Sequence, residues 1–273
     1  MKRTERVGVM IRTLTATPNR LYSLQYFCEL LGAAKSSISE DINLADAAVR
    51  VTNTGYIETI SGAKGGVRFV PDIDQPGLSA LQEEFCSRIK DSSRILGGGF
   101  LYTSDIMFDT ELIGKIATVF AREFKNRGAD YVATVETKGI PLASMVAQQL
   151  HLPLVIIRRE AKVSEGSTVS INYFSGSYDR VQRMSISKRA VRPGAKAIII
   201  DDFMRGGGSI RGIADILSEF DVTVVGTGIA IASVLPQKKK IDDYTAVVFL
   251  GDVDEENRTI EVFPNMHLFD DEN

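Results

Sequence analysis

Apolar residues recur at the spacing of an α-helix in three segments of the first fifty residues. This period predicts a first helix over 2–15, a second that ends at Gly32, and a third beyond it. A capping box over Ser37–Glu40, in which a serine and a glutamate stand three positions apart, predicts the start of the third helix. The apolar stripes comprise Val7, Met10, Ile11 and Leu14, then Leu21, Leu24, Phe27, Cys28 and Leu31, then Ile38, Ile42, Ala45 and Val49. Two helices joined by a short glycine-containing turn are the outline of a helix-turn-helix.

Two β-rich segments, 56–60 and 67–70, follow the third helix and are joined by the glycine-rich stretch 61–66. This pattern predicts a hairpin, which would complete a winged helix of the kind that binds DNA. Three short helices and a hairpin also build docking domains that never meet DNA, so the pattern alone leaves both roles open. Small polar and basic side chains at the start of the third helix, at the wing tip and on the first helix are the candidate contacts with phosphates and base edges. They are Lys35, Ser36, Ser37, Ser39, Lys64, Arg3 and Arg6.

Beyond the turn-rich connector 71–77, apolar strands alternate with helical patterns. We place the domain boundary after residue 74, which gives a winged-helix domain over 1–74 and a second domain over 75–273. The second domain has predicted strands at 131–135, 154–157, 197–200, 222–231 and 246–250, and predicted helices at 112–124, 141–150 and 209–220. Such alternation predicts an α/β fold with a doubly wound parallel sheet, in which ligands bind at the carboxyl ends of the strands.

Composition and charge set limits on these predictions. The chain of 273 residues is long for one domain, and its net charge of −3 divides unevenly. Residues 1–70 hold nine basic and six acidic residues, or +3, so the remainder holds −6. A basic head on an acidic body permits nucleic-acid binding without requiring it. The sequence contains no run of 18 apolar residues, which a membrane-spanning helix would need, and we expect a cytoplasmic protein.

Cysteine and histidine are scarce. Cys28 and Cys86 lie within helical patterns, and we expect both to be buried thiols in a reducing compartment. Two histidines and two cysteines far apart in the sequence do not form the ligand spacing of a zinc site, and we expect no protein-bound metal.

The most specific chemistry lies in the segment 197–209. A predicted strand over Ala197–Ile200 leads to Asp201 and Asp202, and a glycine-rich loop over Gly206–Gly208 opens a helix at Ser209. Glycines let backbone N–H groups surround a phosphate, and the helix N-terminus favours the same anion. The two carboxylates can hold sugar hydroxyls directly or through Mg²⁺. The spacing differs from the P-loop, which ends in Gly-Lys-Ser/Thr, and from the dinucleotide-binding G-x-G-x-x-G.

This segment resembles the phosphoribosyl pyrophosphate (PRPP) motif of the type I phosphoribosyltransferases, with four hydrophobic residues, two acids and a glycine-rich loop. Two further segments fit the same family. Thr137-Lys138-Gly139 follows a predicted strand, where the family places its pyrophosphate loop, although this tripeptide on its own is more often a plain turn. The span from Arg158 to Ala190 is rich in serine, glycine and charge, and we expect a flexible lid there.

The whole chain resembles the purine operon repressors of Gram-positive bacteria. The resemblance rests on Lys35–Asp41, Gly97–Asp105, Glu165–Tyr173 and Ile200–Met204. It implies a homodimer that binds operator DNA, responds to PRPP and regulates genes of purine biosynthesis and transport. No cofactor is required in this interpretation. Guanosine polyphosphates are further candidate ligands of the pocket, and Mg²⁺ is a candidate companion of PRPP.

The resemblance also assigns the PRPP pocket residue by residue. Tyr102 and Thr103 would line it near the purine side, and Phe203 would lie against the ligand. The full candidate set is Asp201, Asp202, Phe203, Met204, Arg205, Gly206, Gly207, Gly208, Ser209, Thr137, Lys138, Gly139, Tyr102, Thr103, Arg159 and Lys162.

The sequence departs from the enzymes where catalysis is concerned. Hypoxanthine-type transferases place an aspartate at the fifth position of the loop motif as proton acceptor, and here that position is Arg205. An arginine binds anions but cannot act as a general base, because its pKa stays above about 12. We therefore expect a regulator without catalytic residues. The alternatives are an active purine phosphoribosyltransferase with an accessory N-terminal domain and an RNA-binding attenuator.

Overall fold

The structure is a computed structural model that describes residues 1–160, 166–175 and 180–269. It divides into two compact units. The first comprises residues 1–77 together with 148–151, and the second comprises 78–147 together with 152–273. Each unit has its own hydrophobic core.

The first unit contains three helices and a hairpin, as the periodicity predicted. They are α1 (Arg3–Ala16), α2 (Leu24–Leu31), α3 (Lys35–Arg50), β1 (Gly55–Ile60) and β2 (Gly66–Pro71), with β1 and β2 antiparallel. The predicted apolar stripe of α3 is buried along its whole length, against Met10 and Leu14 of α1. Tyr22 adds a short third rung to the sheet, because it exchanges two backbone hydrogen bonds with Val67 of β2.

The start of α3 differs from the prediction. The helix begins at Lys35 with Ala34 as its N-cap, and no side chain caps it. The capping box over Ser37–Glu40 is therefore wrong, because Ser37 already lies inside the first helical turn. Gly32, in the left-handed conformation, ends α2. Three residues, Gly32–Ala34, separate the helices, and the chain re-enters a helix before Ser37 is reached.

The second unit alternates helices and strands. Its helices are α4 (Gln75–Ile89), a 3₁₀ turn (Ser92–Arg94), α5 (Ser104–Met107), α6 (Thr110–Phe124), α7 (Gly139–Leu150) and α8 (Gly208–Ser218). Its strands are β3 (Ile95–Leu96), β4 (Phe100–Leu101), β5 (Tyr131–Val135), β6 (Leu154–Ile157), β7 (Thr168–Ser175), β8 (Arg180–Ser187), β9 (Lys196–Met204), β10 (Thr223–Ser233), β11 (Thr245–Asp254) and β12 (Thr259–Pro264). The connector after β2 is shorter than predicted, because α4 begins at Gln75; the domain boundary after residue 74 stays a prediction.

A six-stranded sheet forms the centre of the second unit, in the order β12-β11-β10-β9-β5-β6. All neighbouring strands are parallel except β12, which pairs antiparallel with β11 at one edge. Helices cover both faces. Gly226 and Gly228 of β10 face two phenylalanine rings of α6, whereas Ile229, one position on, packs in the cluster that contains Ile213 of α8. The predicted doubly wound parallel sheet is confirmed.

The span 158–190, which the sequence predicted to be a loop acting as a flexible lid, instead contains two strands in the residues that the structure describes. β7 and β8 form an antiparallel hairpin with eight facing pairs. Tyr173, Met184 and Ile186 are buried in the core of the second unit, and Arg158 exchanges two backbone hydrogen bonds with Ser185. The alternation of apolar residues in this segment is a strand signal, which the high serine and glycine content concealed.

The predictions for the cysteines and for membrane spans can also be compared with the structure. Cys86 is buried, whereas Cys28 is only partly buried, and both are free thiols. Within the described ranges, the structure has no helix that is both long and apolar enough to cross a membrane.

We predict that the packing of the hairpin stabilises the second unit. Met184→Ala should lower the free energy of unfolding by about 2–5 kcal/mol, because it opens a cavity at a fully buried side chain. Val181→Ala on the same strand should change it by less than about 0.5 kcal/mol, because Val181 is 66% exposed. Denaturant unfolding of both variants checks the difference, and equal stabilities would show that the hairpin is loosely attached.

Candidate effector site and nucleic-acid interface

The central feature of the second unit is a pair of carboxylates inside the sheet. Asp201 and Asp202 lie within β9, which runs on to Met204 and is therefore longer than predicted. Asp201 is 5% exposed, and its Oδ1 accepts a hydrogen bond from the backbone N–H of Asp202 at 3.0 Å. A Cβ added at Gly139 would lie 2.5 Å from Asp201 Oδ1 and 2.7 Å from the hydroxyl of Thr134. Only glycine therefore fits where α7 begins beside the acid pair.

Burial makes the two acids hard to ionise. It raises the pKa of Asp201 well above its ordinary value, and the neighbouring charge of Asp202 raises it further, while Arg159 acts in the opposite direction. Burial also raises the pKa of Asp202, against the opposing effects of its hydrogen bond with Asp201 and of the positive charge of Lys138. The acid pair thus lies in a site that favours cations and hydrogen-bond donors.

The glycine-rich loop connects the end of β9 to α8. Gly207 is the N-cap of α8 and has a φ of 76°, in the left-handed region that glycine adopts without strain. A Cβ at this position would lie 3.2 Å from a side-chain carbon of Ile241. The loop ends at the N-terminus of an 11-residue helix, where free backbone N–H groups and the helix dipole favour an anion.

A cavity of about 580 Å³ lies at the carboxyl ends of the strands, where a doubly wound sheet binds its ligands. Its lining includes the acid pair and both loops. The lining residues are Gly99, Phe100, Leu101, Thr103, Val135, Glu136, Thr137, Lys138, Arg159, Asp201, Asp202, Phe203, Arg205, Ser209, Ser233, Leu235, Leu250, Gly251, Asp252 and Val253.

Most of the PRPP-binding residues predicted from the sequence meet at this cavity, but some do not line it. The predicted residues in the lining are Thr103, Thr137, Lys138, Arg159, Asp201, Asp202, Phe203, Arg205 and Ser209. Tyr102 is 47% exposed and outside the lining, Met204 is buried in the core, and Gly139 packs against Asp201. Gly206 and Gly207 follow Arg205 in the loop, and Gly208 is the first residue of α8, so the helix begins one residue earlier than predicted. Lys162 lies outside the described residues.

Sequence reasoning missed one wall of the cavity. Ser233 is the last residue of β10 and Leu235 lies just beyond it, and Gly251, Asp252 and Val253 lie near the end of β11. Their position at the carboxyl ends of predicted strands was a signal that could have found them. Phe100 and Leu101, from the short hairpin of β3 and β4, carried no such signal.

Two basic residues face the acids from neighbouring loops. Both acids have raised pKa values, and these basic residues oppose the rise: the positive charge of Lys138 acts on Asp202 and that of Arg159 acts on Asp201. The backbone N–H of Arg159 donates to Glu136 at 2.7 Å, and its guanidinium donates to Gln182 of β8 at 3.3 Å. The pyrophosphate-loop segment and the β7–β8 hairpin are thereby joined through Arg159.

The residues predicted to contact nucleic acid lie mainly on α3 and on the hairpin of β1 and β2. Lys35, Ser36 and Ser39 are exposed at the start of α3, and Ser37 is partly buried. Lys64 is exposed in the turn between the two strands. The structure thus presents the predicted recognition-helix and wing residues to solvent, with Ser37 the least accessible of them.

Arg3 and Arg6 of α1 are committed to a buried acid. Asp41 of α3 has a side chain 1% exposed, and its two carboxylate oxygens accept from Arg3 Nε at 3.0 Å and Arg6 Nε at 2.6 Å. Arg3 also pairs with exposed Glu40, and Arg6 donates to the backbone oxygen of Met1. These arginines hold α1 against α3, a role that the sequence analysis did not assign to them.

Comparisons with known proteins agree with this division. Residues 2–71 match the family model described as "Bacterial purine repressor, N-terminal", and residues 108–263 match the phosphoribosyl transferase domain. The chain is 38% identical over 263 residues to the probable purine biosynthesis transcriptional regulator PurR of Streptococcus pneumoniae, covering 96% of both chains. The chain belongs to the PurR family of purine biosynthesis transcriptional regulators. The purine operon repressor resemblance is confirmed.

Other PurR relatives differ in the sign of regulation. The chain is 37% identical to the purine biosynthesis transcriptional repressor PurR of Bacillus subtilis, over 96% of this chain and 92% of that protein. It is also 37% identical to the purine biosynthesis transcriptional activator PurR of Lactococcus lactis, over 96% and 97%. The family is one of regulators and not of enzymes, as the sequence predicted. Equal identity to a repressor and an activator gives no sign for this chain.

Enzymes are similar only in part. The chain is 29% identical to a xanthine phosphoribosyltransferase of Oenococcus oeni over 148 residues, which is 53% of this chain and 72% of that enzyme. Adenine phosphoribosyltransferase of Saccharomyces cerevisiae shares the fold with a TM-score of 0.53 at 18% identity, over 62% of this chain and 98% of that one. These matches confirm a phosphoribosyltransferase fold in the second unit of a PurR-family chain.

The raised pKa values predict that the acid pair destabilises the protein at neutral pH. An acid whose pKa is raised by folding costs no stability below its ordinary pKa near 4, and the cost appears as pH rises through the raised pKa. Asp201→Asn should therefore raise the free energy of unfolding at pH 7.5, with the gain disappearing below about pH 4.

The control is Asp254→Asn, because hydrogen bonds with Asn257 lower the pKa of Asp254. That variant should lose stability above the ordinary pKa, with the opposite sign. Denaturant unfolding at several pH values checks both variants. An Asp201→Asn protein that is less stable than the wild type at pH 7.5 would contradict the prediction.

Proposed function

We propose that the chain is a cytoplasmic, homodimeric DNA-binding regulator of purine biosynthesis and transport genes whose effector is PRPP. The observation that carries the proposal is the cavity of the second unit. It combines an acid pair of which Asp201 is buried and Asp202 partly buried, a glycine-rich loop at a helix N-terminus and two basic side chains on neighbouring loops. The proposal places the winged-helix domain over 1–74 and the effector domain over 75–273.

The three parts of PRPP match three parts of the site. Its ribose hydroxyls are donors, and Asp201 and Asp202 are acceptors that burial disfavours as bare charges. Its 5′-phosphate suits the loop Arg205–Ser209, and its diphosphate suits Thr137 and Lys138. Because a buried charge must be paired, a polyanionic sugar with hydroxyls satisfies both the basic and the acidic groups of the cavity.

The lining of the cavity also suits Mg²⁺ bound together with PRPP and ligands that compete with PRPP. Within the described residues, no three or more histidine, cysteine, aspartate or glutamate side chains are grouped to hold a metal ion. Mg²⁺ is commonly bound by one or two carboxylates together with ligand phosphates, so the acid pair suits an ion that arrives with PRPP. Phe100, Leu235 and Leu250 provide an apolar wall. A wall of this kind suits a purine ring, and guanosine polyphosphates are therefore candidate competitors.

Operator DNA is the partner of the first unit in this proposal. The match of residues 2–71 to the purine repressor N-terminal domain supports it. Lys35, Ser36, Ser37 and Ser39 are proposed to enter the groove, and Lys64 is proposed to contact phosphate.

We predict that loss of an acid weakens the effector without affecting DNA. Asp202→Ala should reduce PRPP affinity, because the ribose hydroxyls lose an acceptor, while operator affinity in the absence of PRPP stays unchanged. Calorimetry with PRPP and gel shifts on operator DNA measure the two. Wild-type PRPP affinity in this variant would remove the basis for assigning the site, and so would a wild-type protein that does not bind PRPP.

The alternative function, an active purine phosphoribosyltransferase, is favoured by the partial similarity to xanthine phosphoribosyltransferase. We predict no nucleotide formation from PRPP with adenine, guanine, hypoxanthine or xanthine, because Arg205 stands where a proton acceptor would act. Chromatographic detection of nucleotide checks this. Turnover at about 1 s⁻¹, the low end for enzymes, would establish that the chain is an active phosphoribosyltransferase.

We predict that salt dependence separates DNA contacts from internal ion pairs. Lys64→Ala should reduce the slope of log affinity against log salt by about 1, at unchanged stability, because one phosphate contact is lost. Arg6→Ala should keep that slope but lower the free energy of unfolding by about 1–3 kcal/mol, because Asp41 loses a charged hydrogen bond. Operator titrations at several salt concentrations and denaturant unfolding measure both quantities. A reduced slope for Arg6→Ala would return Arg6 to the DNA-binding surface.

A further inference from the structure

Lys239 lies behind the glycine-rich loop rather than in the cavity. Its Nζ donates to three backbone carbonyl oxygens: Ser233 at 2.6 Å, Arg205 at 2.8 Å and Pro236 at 3.2 Å. An ammonium group has three donors, so these three bonds use all of its hydrogen-bonding capacity. Lys239 therefore ties the end of β9 to the turn that follows β10.

The neighbouring backbone continues this attachment. The N–H of Lys240 donates to the carbonyl oxygen of Gly206 at 3.0 Å. Gly207, the next residue, has no side chain and packs against Ile241, where a Cβ would lie 3.2 Å from a side-chain carbon. The segment Lys239–Ile241 is thus a support along one side of the loop.

These bonds fix the orientation of the loop amides. In a trans peptide the C=O and the following N–H point in opposite directions. The carbonyls of Arg205 and Gly206 point to Lys239 and Lys240, so the N–H groups of Gly206 and Gly207 point away from this support. The carbonyl of Gly207 accepts from Arg211 in the first turn of α8 at 2.9 Å, which directs the N–H of Gly208 out of the helix start.

We infer that Lys239 is a positioning residue for effector binding, which orients the amides of the glycine-rich loop toward the anion without touching it. The inference rests on the proposed function for the identity of the effector as PRPP. Burial lowers the pKa of Lys239, yet three carbonyl partners favour its charged form. The two lining residues that Lys239 joins from behind, Arg205 and Ser233, come from different strands, so one ammonium fixes two walls of the cavity.

The test compares Lys239→Met with Lys238→Met. Lys238 is the exposed neighbour and carries the same charge. Lys239→Met should weaken PRPP binding by about tenfold or more, the equivalent of one charged hydrogen bond, while operator affinity without PRPP stays near wild type. The unfolding temperature should also fall, because three carbonyl oxygens lose this donor, so the titrations are made at a temperature at which the variant is folded. Lys238→Met should bind PRPP like the wild type. Equal losses of PRPP affinity in the two variants would overturn the inference, because they would show that only the positive charge matters. Wild-type PRPP affinity in Lys239→Met would overturn it as well.

A second variant covers a failure of Lys239→Met to fold. Lys239→Arg keeps the charge, but a planar guanidinium cannot give three bonds from one nitrogen, so PRPP affinity should still fall. Wild-type affinity in Lys239→Arg would overturn the inference. The wild-type titration is the separate arm for the proposed function, because an absence of PRPP binding there contradicts the effector and not the positioning role.

Discussion

The electrostatic cost of holding two adjacent carboxylates within a parallel sheet is the constraint on which the candidate site of the second unit depends. Asp201 and Asp202 lie within β9, and burial raises the pKa of both. Such a pair persists only where surrounding groups or a ligand compensate it. Lys138 and Arg159 provide part of that compensation. The hydroxyls of a sugar, or an Mg²⁺ ion that arrives with its phosphates, would provide the rest and would relieve an electrostatic cost that the fold itself creates.

A buried carboxylate in the first unit is compensated in a different way. Asp41 is as buried as Asp201, but two arginines of α1 pair with its carboxylate. Its charge is satisfied within the protein, and the result is a fixed orientation of α1 against α3. Asp41 is therefore a structural acid, because side chains of the protein neutralise its charge. Asp201 is a candidate binding group, because the described residues compensate its charge only in part.

Periodicity predicted what depends on local sequence. The helices of the first unit and the parallel strands follow from apolar spacing, and the strand-acid-glycine pattern predicted the core of the site. The start of α3 was wrong because Gly32 and the short turn, rather than Ser37, decide where the helix begins. The β7–β8 hairpin was missed because its polar composition concealed an alternation. Phe100 and Leu101 meet the site only through tertiary structure, and Lys239 acts through backbone carbonyls that no sequence pattern displays.

We propose that PRPP and operator DNA bind to one protein with linked affinities. Linkage requires the effect to be reciprocal. The most direct measurement is a pair of titrations at one salt concentration: operator affinity with and without saturating PRPP, and PRPP affinity with and without saturating operator. The account predicts that the two fold-changes are equal and differ from one. Operator affinity that does not change with PRPP, while PRPP binds the protein, would contradict it.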